Sequence, residues 1–407
     1  MFMQKYLRTT FLQQSSMLKN SQQLSQRAFS TNFEKDSFNN IPQGITDLTG
    51  RKIYKQPNHP LNTLITKIED FFQNQKFSDL QIPGEKFKVF KDFEPYVQIK
   101  ECFDDLGIPE DHVSRRASDT YYHSKNIVLR PHTSAHQIPL MKQDNSAFLV
   151  LGDVYRKDTV DKTHYPAFHQ MEGVRTYSLK DIGAKDVKEA KIITERDLKQ
   201  VLENLAKHLF GDVEMRWVEA YFPFTEPSIE LEIFYNNEWL EILGSGVIHD
   251  NVMLRGGRNI DTEVGWAFGL GLERWAMKLF DINDIRLFWS KDERFINQFK
   301  QGEITKFKPY SKYPACYKDI AFWIPSPVTE TSFNENDFFY LVRNESNDMA
   351  ETVEMIDVFT HPVSKRVSRC YRINYRNMDR SLTNEEVDAL QIKIRGLVET
   401  ELGCELR

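Results

Sequence analysis

The sequence predicts an α+β protein, in which a long antiparallel sheet flanked by helices precedes a smaller unit of mixed strands and helices. Four long runs have the character of strands, and turns rather than crossover helices are predicted to join them. Such connections favour antiparallel pairing over a doubly wound parallel sheet. The four runs are 147–156, 167–177, 228–235 and 238–248.

Helices are predicted to pack against this sheet. Apolar residues recur at helical spacing over 61–72, and Pro60 suits the first turn of that helix. A second apolar stripe covers 187–209, with Gly211 beyond it as a stop signal. A further helix is predicted over 269–280.

The remainder of the chain predicts a second domain. Residues 45–295 form the first domain, and residues 296–312, rich in Lys, Gln, Gly and Pro, are predicted to be a linker. Over 313–407 the order is strand, helix, strand, strand, helix and short strand, which is the ferredoxin-like βαββαβ arrangement. Its elements are predicted at 316–324, 335–349, 352–359, 369–375 and 385–402, and Thr383 with Glu386 forms a capping box for the last helix.

Composition excludes several classes of protein. The 407 residues carry a net charge of −6, which rules out a wholly basic nucleic-acid coat. No apolar run approaches the roughly 18 residues of a membrane span, so no membrane association is expected. The four cysteines stand singly, which argues against a zinc ribbon or a disulfide framework and predicts reduced thiols.

The first 33 residues differ from the rest, because they contain four basic residues and no acidic one. Together with many Ser, Thr and Gln residues, this composition predicts a mitochondrial transit peptide over 1–31, and hence the mitochondrial matrix as the compartment. A disordered tail or an RNA-binding arm would be the alternatives.

Chemistry is suggested first by two neighbouring strands. Arg156 ends one of them, and period-two alternation places Phe168, Gln170 and Glu172 on one face of the next. Phe168 suits a flat base, Arg156 a phosphate, and the amide and carboxylate an ammonium group. A cross-strand salt bridge between Arg156 and Glu172 is the alternative.

Three other segments are candidates for ligand contact. The run Gly269 to Arg274 offers small residues and a second arginine, although packing of a helix on a strand would explain it equally. His132 and His136 are four residues apart, but without a nearby third ligand zinc is disfavoured, and Thr133 or Ser134 suits a helix N-cap. Phe222 and Phe224 face the same way and suit either a core or an aromatic ligand.

Basic residues also concentrate between Lys365 and Arg380. Contact with an RNA backbone and a solvated strand edge are equally compatible with this pattern. The candidates for RNA contact are Arg369, Arg372, Arg376 and Arg380.

Taken together, these features resemble motifs 2 and 3 of the class II aminoacyl-tRNA synthetases. The similarity is greatest to the single-chain mitochondrial members of that class that act on phenylalanine, and it extends over 45–407. It is carried by the segments 129–137, 152–158, 164–173, 221–227, 265–275, 285–295 and 312–324.

The resemblance implies roles for individual residues. Arg156 and Arg274 would be catalytic, holding the α- and γ-phosphates of ATP, with Phe168 stacked on adenine. The remaining ATP contacts would be Asp158, His164, Gly271 and Glu241, the last near Mg²⁺. Phenylalanine would be bound at its polar end and at its ring by His132, Ser134, Gln170, Glu172, Phe222, Phe224 and Ala267.

The implied reaction is ATP-dependent activation of phenylalanine and its transfer to the terminal ribose of mitochondrial tRNA(Phe), by a monomer whose domain 313–407 binds the anticodon. Two alternatives stay open. A catalytically silent relative that only binds RNA would be expected to lack a motif arginine or the pocket, whereas Arg156, Arg274, Gln170 and Glu172 are all present. The second alternative is a ligase for another amino acid. The pair Phe222 and Phe224 disfavours a polar amino acid as substrate.

Overall fold

A computed structural model describes residues 36–74, 76–309, 315–325, 333–377 and 380–407. The predicted transit peptide, 1–31, and the predicted junction between linker and second domain, at 312–313, lie outside these ranges. Within them, no helix combines the length and the apolar character that crossing a bilayer requires.

The first domain is built on a seven-stranded sheet in the order β1-β5-β6-β10-β9-β8-β7. Its strands are β1 (Lys88–Phe90), β5 (Ala147–Tyr155), β6 (Ala167–Ser178), β7 (Met215–Ala220), β8 (Thr225–Tyr235), β9 (Glu238–Ile248) and β10 (Glu263–Gly271). The four predicted strands are present and pair antiparallel, which confirms the predicted fold class. β1, β7 and β10 were not among the predicted strands, and β1 pairs parallel with β5, so the sheet is not antiparallel throughout.

Helices pack on both faces of this sheet, with the two longest on one face. The helices of the first domain are α1 (Gln43–Thr46), α2 (Pro60–Asn74), α3 (Gln137–Met141), α4 (Val187–Phe210), α5 (Asp250–Arg255), α6 (Leu272–Phe280) and α7 (Glu293–Ile296). The apolar stripes of α2 and α4 join Leu149, Met171 and Trp266 of the sheet in one core. The Asp186 side chain caps α4 by accepting a hydrogen bond from Glu189 N.

The opposite face of the sheet carries a smaller apolar core and is left partly open. Phe148, Val150, Val174 and Ala267 belong to this second core. It is bordered by a three-stranded sheet of β2 (Tyr96–Gln98), β3 (Tyr122–Ser124) and β4 (Ile127–Leu129). These strands are too short for the alternation of apolar and polar residues to reveal them in the sequence.

The second domain has the predicted ferredoxin-like topology. A sheet in the order β12-β13-β11-β14 packs on two helices. Its elements are β11 (Cys316–Trp323), α8 (Glu335–Ser346), β12 (Ala350–Thr360), β13 (Val367–Tyr375), α9 (Asn384–Thr400) and β14 (Glu405–Leu406). The predicted capping box at Thr383 and Glu386 is formed.

Two predictions need correction. The helix predicted over 269–280 begins only at Leu272, because Gly269 and Gly271 still pair with Glu172 and Gln170 of β6. The described part of the predicted linker, 296–312, packs against the first domain instead of extending away from it. Phe299 and Phe307 are buried in the core of the first domain, and Phe307 N donates to Phe280 O at 2.6 Å.

The close pairing of β6 with β10 predicts that Gly173→Ala destabilises the protein. A Cβ at residue 173 would lie 2.2 Å from Cε1 of the buried Phe268 ring. Overpacking of this kind costs about 1–3 kcal/mol, so we expect a lower melting temperature by calorimetry. The control is Gly396→Ala in α9, where nothing lies within 4 Å of the new Cβ. That variant should be as stable as the parent or more stable, and equal effects of the two variants would contradict the packing argument.

Candidate functional site

A cavity of about 700 Å³ lies on the open face of the first domain's sheet. All the residues predicted to bind ATP or phenylalanine line it. They are His132, Ser134, Arg156, Asp158, His164, Phe168, Gln170, Glu172, Phe222, Phe224, Glu241, Ala267, Gly271 and Arg274. The structure therefore brings together residues that are more than 140 positions apart in the sequence.

One end of the cavity holds a buried carboxylate with an unused acceptor. Oε2 of Glu172 accepts hydrogen bonds from Ser134 Oγ at 2.6 Å and Thr133 Oγ1 at 3.3 Å. Its Oε1 is buried without a hydrogen-bond partner among the described residues. Burial raises the pKa of Glu172 to about 7, although the two hydroxyl groups favour the ionised form. Beside it, Gln170 Oε1 accepts from Thr133 N at 3.1 Å.

Arg156 lies beyond the end of the paired strands and faces the cavity. Its Nε donates to Pro131 O at 2.7 Å, and its guanidinium carbon lies 5.3 Å from the centre of the Phe168 ring. Removal of water by the surrounding protein lowers the pKa of Arg156. In the described part of the chain no carboxylate forms an ion pair with it, and its alternative pairing with Glu172 is not formed. This cation is therefore available to an anionic ligand.

A second cationic group stands at the outer edge of the cavity. Arg274, in the first turn of α6, donates to the carbonyl oxygen and to Oε1 of Glu241, each at 3.1 Å. Glu230, on the neighbouring strand, also faces the cavity, and burial together with the charge of Glu241 raises its pKa. His164 Nδ1 lies 2.6 Å from Asp161 Oδ2, and this hydrogen bond raises the pKa of His164.

Aromatic side chains form the other end. The Phe222 and Phe224 rings lie nearly parallel, at 14°, with centroids 5.9 Å apart. Gly244 makes room for them, since a Cβ there would lie 2.8 Å from Cζ of Phe222. Ala267 lies on the floor and is buried. The result is an apolar slot in the same cavity as the Glu172 carboxylate.

The two histidines of the predicted 132/136 pair have different surroundings. His132 lies in the cavity wall, where burial and the nearby Arg156 lower its pKa to about 3. The ring of His136 stacks on Phe93 at 4.3 Å and its Nε2 bonds to Arg130 Nη1 at 3.0 Å. Within the ranges that the structure describes, no three His, Cys, Asp or Glu side chains form a metal cluster.

Gln137 and Glu230 are among the polar residues of the cavity that the sequence did not single out. Gln137 is buried, and neither polar atom of its amide has a hydrogen-bond partner among the described residues. Its spacing of three from Ser134 would have placed both on one face of a helical turn. Glu230 was also missed, although its strand was predicted.

The predicted RNA-contact residues lie in the second domain, and each faces a carboxylate. Arg372 pairs with Asp319 at 2.8 Å, and Arg380 with Glu386 at 2.7 Å. The other two pairs are longer, 3.7 Å for Arg369 with Glu335 and 3.3 Å for Arg376 with the buried Glu351. The basic patch is therefore largely neutralised by neighbouring acidic groups.

The Glu172 environment predicts a pH-dependent effect of Glu172→Gln on stability. The pKa of this group is raised from 4.5 to about 7 on folding, so the stability contributed by its proton is present below pH 4.5 and is lost as the pH rises towards 7. The glutamine has no such proton to lose. We expect the free energy of unfolding of the variant, relative to the parent, to rise by about 2 kcal/mol between pH 5.5 and 8.5.

Urea unfolding of the two ligand-free proteins at both pH values measures this difference. Other titrating groups are shared and cancel. A difference that stays constant between pH 5.5 and 8.5 would show that the Glu172 carboxyl has an ordinary pKa.

Comparison with known proteins places this site in a family. Residues 45–299 match the tRNA synthetases class II core domain (F), and residues 311–407 match the ferredoxin-fold anticodon binding domain. The chain is 50% identical over 375 residues to the chloroplastic/mitochondrial phenylalanine–tRNA ligase of Arabidopsis thaliana, covering 92% of this chain and 84% of the relative.

Two further relatives are mitochondrial phenylalanine–tRNA ligases. The protein of Mus musculus is 43% identical over 401 residues, covering 92% of this chain and 87% of the relative. The protein of Saccharomyces cerevisiae is 39% identical over 438 residues, covering 90% of this chain and 92% of the relative. The chain therefore belongs to the phenylalanine–tRNA ligase family of class II aminoacyl-tRNA synthetases.

Proposed function

We propose that this chain activates phenylalanine with ATP and transfers it to the terminal ribose of mitochondrial tRNA(Phe) in the mitochondrial matrix. One observation carries the proposal. A single cavity offers an unpartnered carboxylate oxygen, an arginine without an ion-pair partner in the described chain, and an apolar slot with two parallel rings. These groups complement the ammonium, the phosphate and the aromatic ring of a phenylalanyl adenylate.

The amino acid is held at both ends. Its ammonium group fits the free Oε1 of Glu172, next to Ser134 and Gln170, and this pairing favours the ionised carboxylate. Its ring enters the slot formed by Phe222 and Phe224 above Ala267, where apolar walls disfavour polar side chains. His132 and the unpaired amide of Gln137 lie within the same pocket.

ATP occupies the other half of the cavity. Arg156 contacts the α-phosphate, Phe168 offers its ring to adenine, and Arg274 contacts the γ-phosphate. Asp158, His164 and Gly271 line the phosphate side. The raised pKa of His164 favours its positively charged form, which attracts an anionic ligand.

The first step needs no general base, because the attacking carboxylate is already ionised. A carboxylate oxygen of phenylalanine bonds to the α-phosphorus while the bond from that phosphorus to the bridging oxygen breaks, and pyrophosphate leaves. Arg156 stabilises the charge on the non-bridging oxygens during this exchange. Positioning of the two substrates supplies the rest of the acceleration.

Mg²⁺ fits the acidic pair Glu241 and Glu230. Both carboxylates face the cavity, and burial together with the charge of Glu241 raises the pKa of Glu230. Oxygen donors of this kind suit Mg²⁺ when phosphates complete the coordination. Bound there, the ion would neutralise phosphate charge as pyrophosphate departs.

In the second step a ribose hydroxyl at the end of the tRNA, the 2′-OH in this family, attacks the carbonyl carbon of the adenylate and AMP leaves. The domain at 313–407 holds the anticodon region, with Arg369, Arg372, Arg376 and Arg380 as the contacts to tRNA. The chain acts as a monomer after residues 1–31 have directed its import.

Amino-acid-dependent exchange between ATP and pyrophosphate tests the first step. The protein without residues 1–30 is assayed with Mg²⁺ and each of the twenty amino acids. A signal for phenylalanine far above the others supports the proposal. No signal with any amino acid would favour the silent RNA-binding alternative, and a stronger signal with another amino acid would reassign the pocket.

In the same assay Arg156→Ala should lower the exchange rate by on the order of 10²-fold or more, because it removes a cation at the site of developing charge. Arg196→Ala, an exposed arginine on α4, is the control and should retain the parent rate. An unchanged rate in Arg156→Ala would exclude Arg156 from the reaction.

Replacement of exposed arginines tests the tRNA contact. The double variant Arg372→Gln, Arg380→Gln should bind tRNA more weakly and with a salt dependence reduced by about one unit of slope per lost phosphate contact. Filter binding at several salt concentrations measures both quantities. Arg216→Gln, which breaks a comparable exposed pair with Glu232 in the first domain, is the control. Equal tRNA affinities of the parent and the double variant would remove these two residues from the interface.

A further inference from the structure

We propose that Arg343 of the second domain is a positioning residue for the adenylation step. It holds the loop 157–165, which joins β5 to β6 and contributes Asp158 and His164 to the cavity. The inference rests on the proposed function. It makes the anticodon-binding domain part of the ATP site in a step that does not use tRNA.

A single guanidinium group clamps both limbs of this loop. Arg343 lies in the last turn of α8, and its Nη2 donates to Thr159 O at 2.7 Å and to His164 O at 3.3 Å. Its guanidinium carbon also lies 5.7 Å from the centre of the Tyr165 ring. The first carbonyl group belongs to Thr159, which directly follows Asp158, and the second belongs to His164 itself. The clamp therefore acts at or beside the two residues that face the phosphates.

The tip of the loop is inserted into the second domain. Val160 is 2% exposed and belongs to the apolar core of that domain. Its carbonyl oxygen accepts a hydrogen bond from Val353 N at 2.9 Å. The second domain therefore buries one side chain of this loop and satisfies one of its backbone carbonyl groups.

Side chains add further links between the loop and the second domain. Tyr165 donates its hydroxyl hydrogen to Asp348 at 2.7 Å. Lys162 lies 3.6 Å from Glu351. Lys157 lies 3.7 Å from Asp337 and over the Tyr340 ring at 4.9 Å.

The first domain also contacts the loop, and Tyr165 is buried in the core of that domain. Lys157 N donates to Asp119 O at 3.0 Å, and Ile285 N donates to Lys162 O at 2.8 Å. Asp161 accepts hydrogen bonds from Thr163 and His164, which shapes the tip but does not attach it to the sheet. Among these contacts, the Arg343 clamp is the one that spans both limbs next to Asp158 and His164.

Steady-state exchange kinetics of the full chain separate a positioning role from simple domain adhesion. Arg343→Met should raise the KM for ATP by about tenfold, since two hydrogen bonds from a charged donor are lost. The KM for phenylalanine should change less than about twofold, because Glu172 and Gln170 have anchors of their own. Arg343→Lys keeps the positive charge and N–H donors on a single nitrogen, and should recover part of the ATP affinity.

The matched control is Arg395→Met. Arg395 Nη2 also donates to a backbone carbonyl, Asp319 O at 3.2 Å, but within the second domain. This variant should keep the parent KM values. The inference is overturned if Arg343→Met leaves the KM for ATP unchanged, if both KM values rise together, or if the control raises the KM for ATP equally.

Hydrogen exchange measured by mass spectrometry gives a readout that does not need activity. Peptides covering 157–165 should exchange faster in Arg343→Met than in the parent and in Arg395→Met, while melting temperatures stay similar. Unchanged exchange in this loop would overturn the inference. A parent without phenylalanine-dependent activity would instead overturn the proposed function, and the loop exchange would still decide whether Arg343 orders the loop.

Discussion

The register of β6 between β5 and β10 is the constraint on which the site depends. It places Phe168, Gln170 and Glu172 on the open face of the sheet and packs His169 and Met171 on the other side. A slip by one residue would exchange the two sets, because side chains alternate along a strand. The buried pair of His169 Nδ1 and Glu273, 2.6 Å apart, connects β6 to the first turn of α6 and opposes such a slip.

Glycines, which have no side chain, shape the cavity as much as the polar groups do. A Cβ at Gly269 would lie 2.7 Å from Nε2 of Gln170, and one at Gly152 would lie 2.6 Å from the guanidinium of the buried Arg130. Arg130 in turn pairs with Asp153 and His136 behind the pocket. The glycines of these strands thus leave room for large polar side chains from neighbouring segments on the cavity side of the sheet.

Period-two alternation was sufficient to predict which side chains of β6 share the face that lines the cavity, and helical spacing predicted α2 and α4 to within about two residues. The alternation of side chains does not show where the hydrogen-bonded pairing of two strands ends. It therefore left open whether Arg156 forms a cross-strand salt bridge with Glu172. Gly269 and Gly271 carry no side chains to show a period, and the end of their strand, 269–271, was predicted as the start of a helix. Phe299 and Phe307 are hidden in a stretch of Lys, Gly and Pro, although both are core residues. The roles of individual cavity residues came from resemblance to a family, because no local pattern tells a ligand contact from a core contact.

The unusual state of Glu172 makes the occupied and empty pockets differ in protonation. Because burial raises the pKa of Glu172 to about 7, the empty site holds this carboxyl partly protonated at neutral pH. A cationic ligand that pairs with Oε1 expels that proton into solution. Loading the pocket is therefore a proton-release reaction, and the heat of binding contains a contribution from whichever buffer takes up the proton.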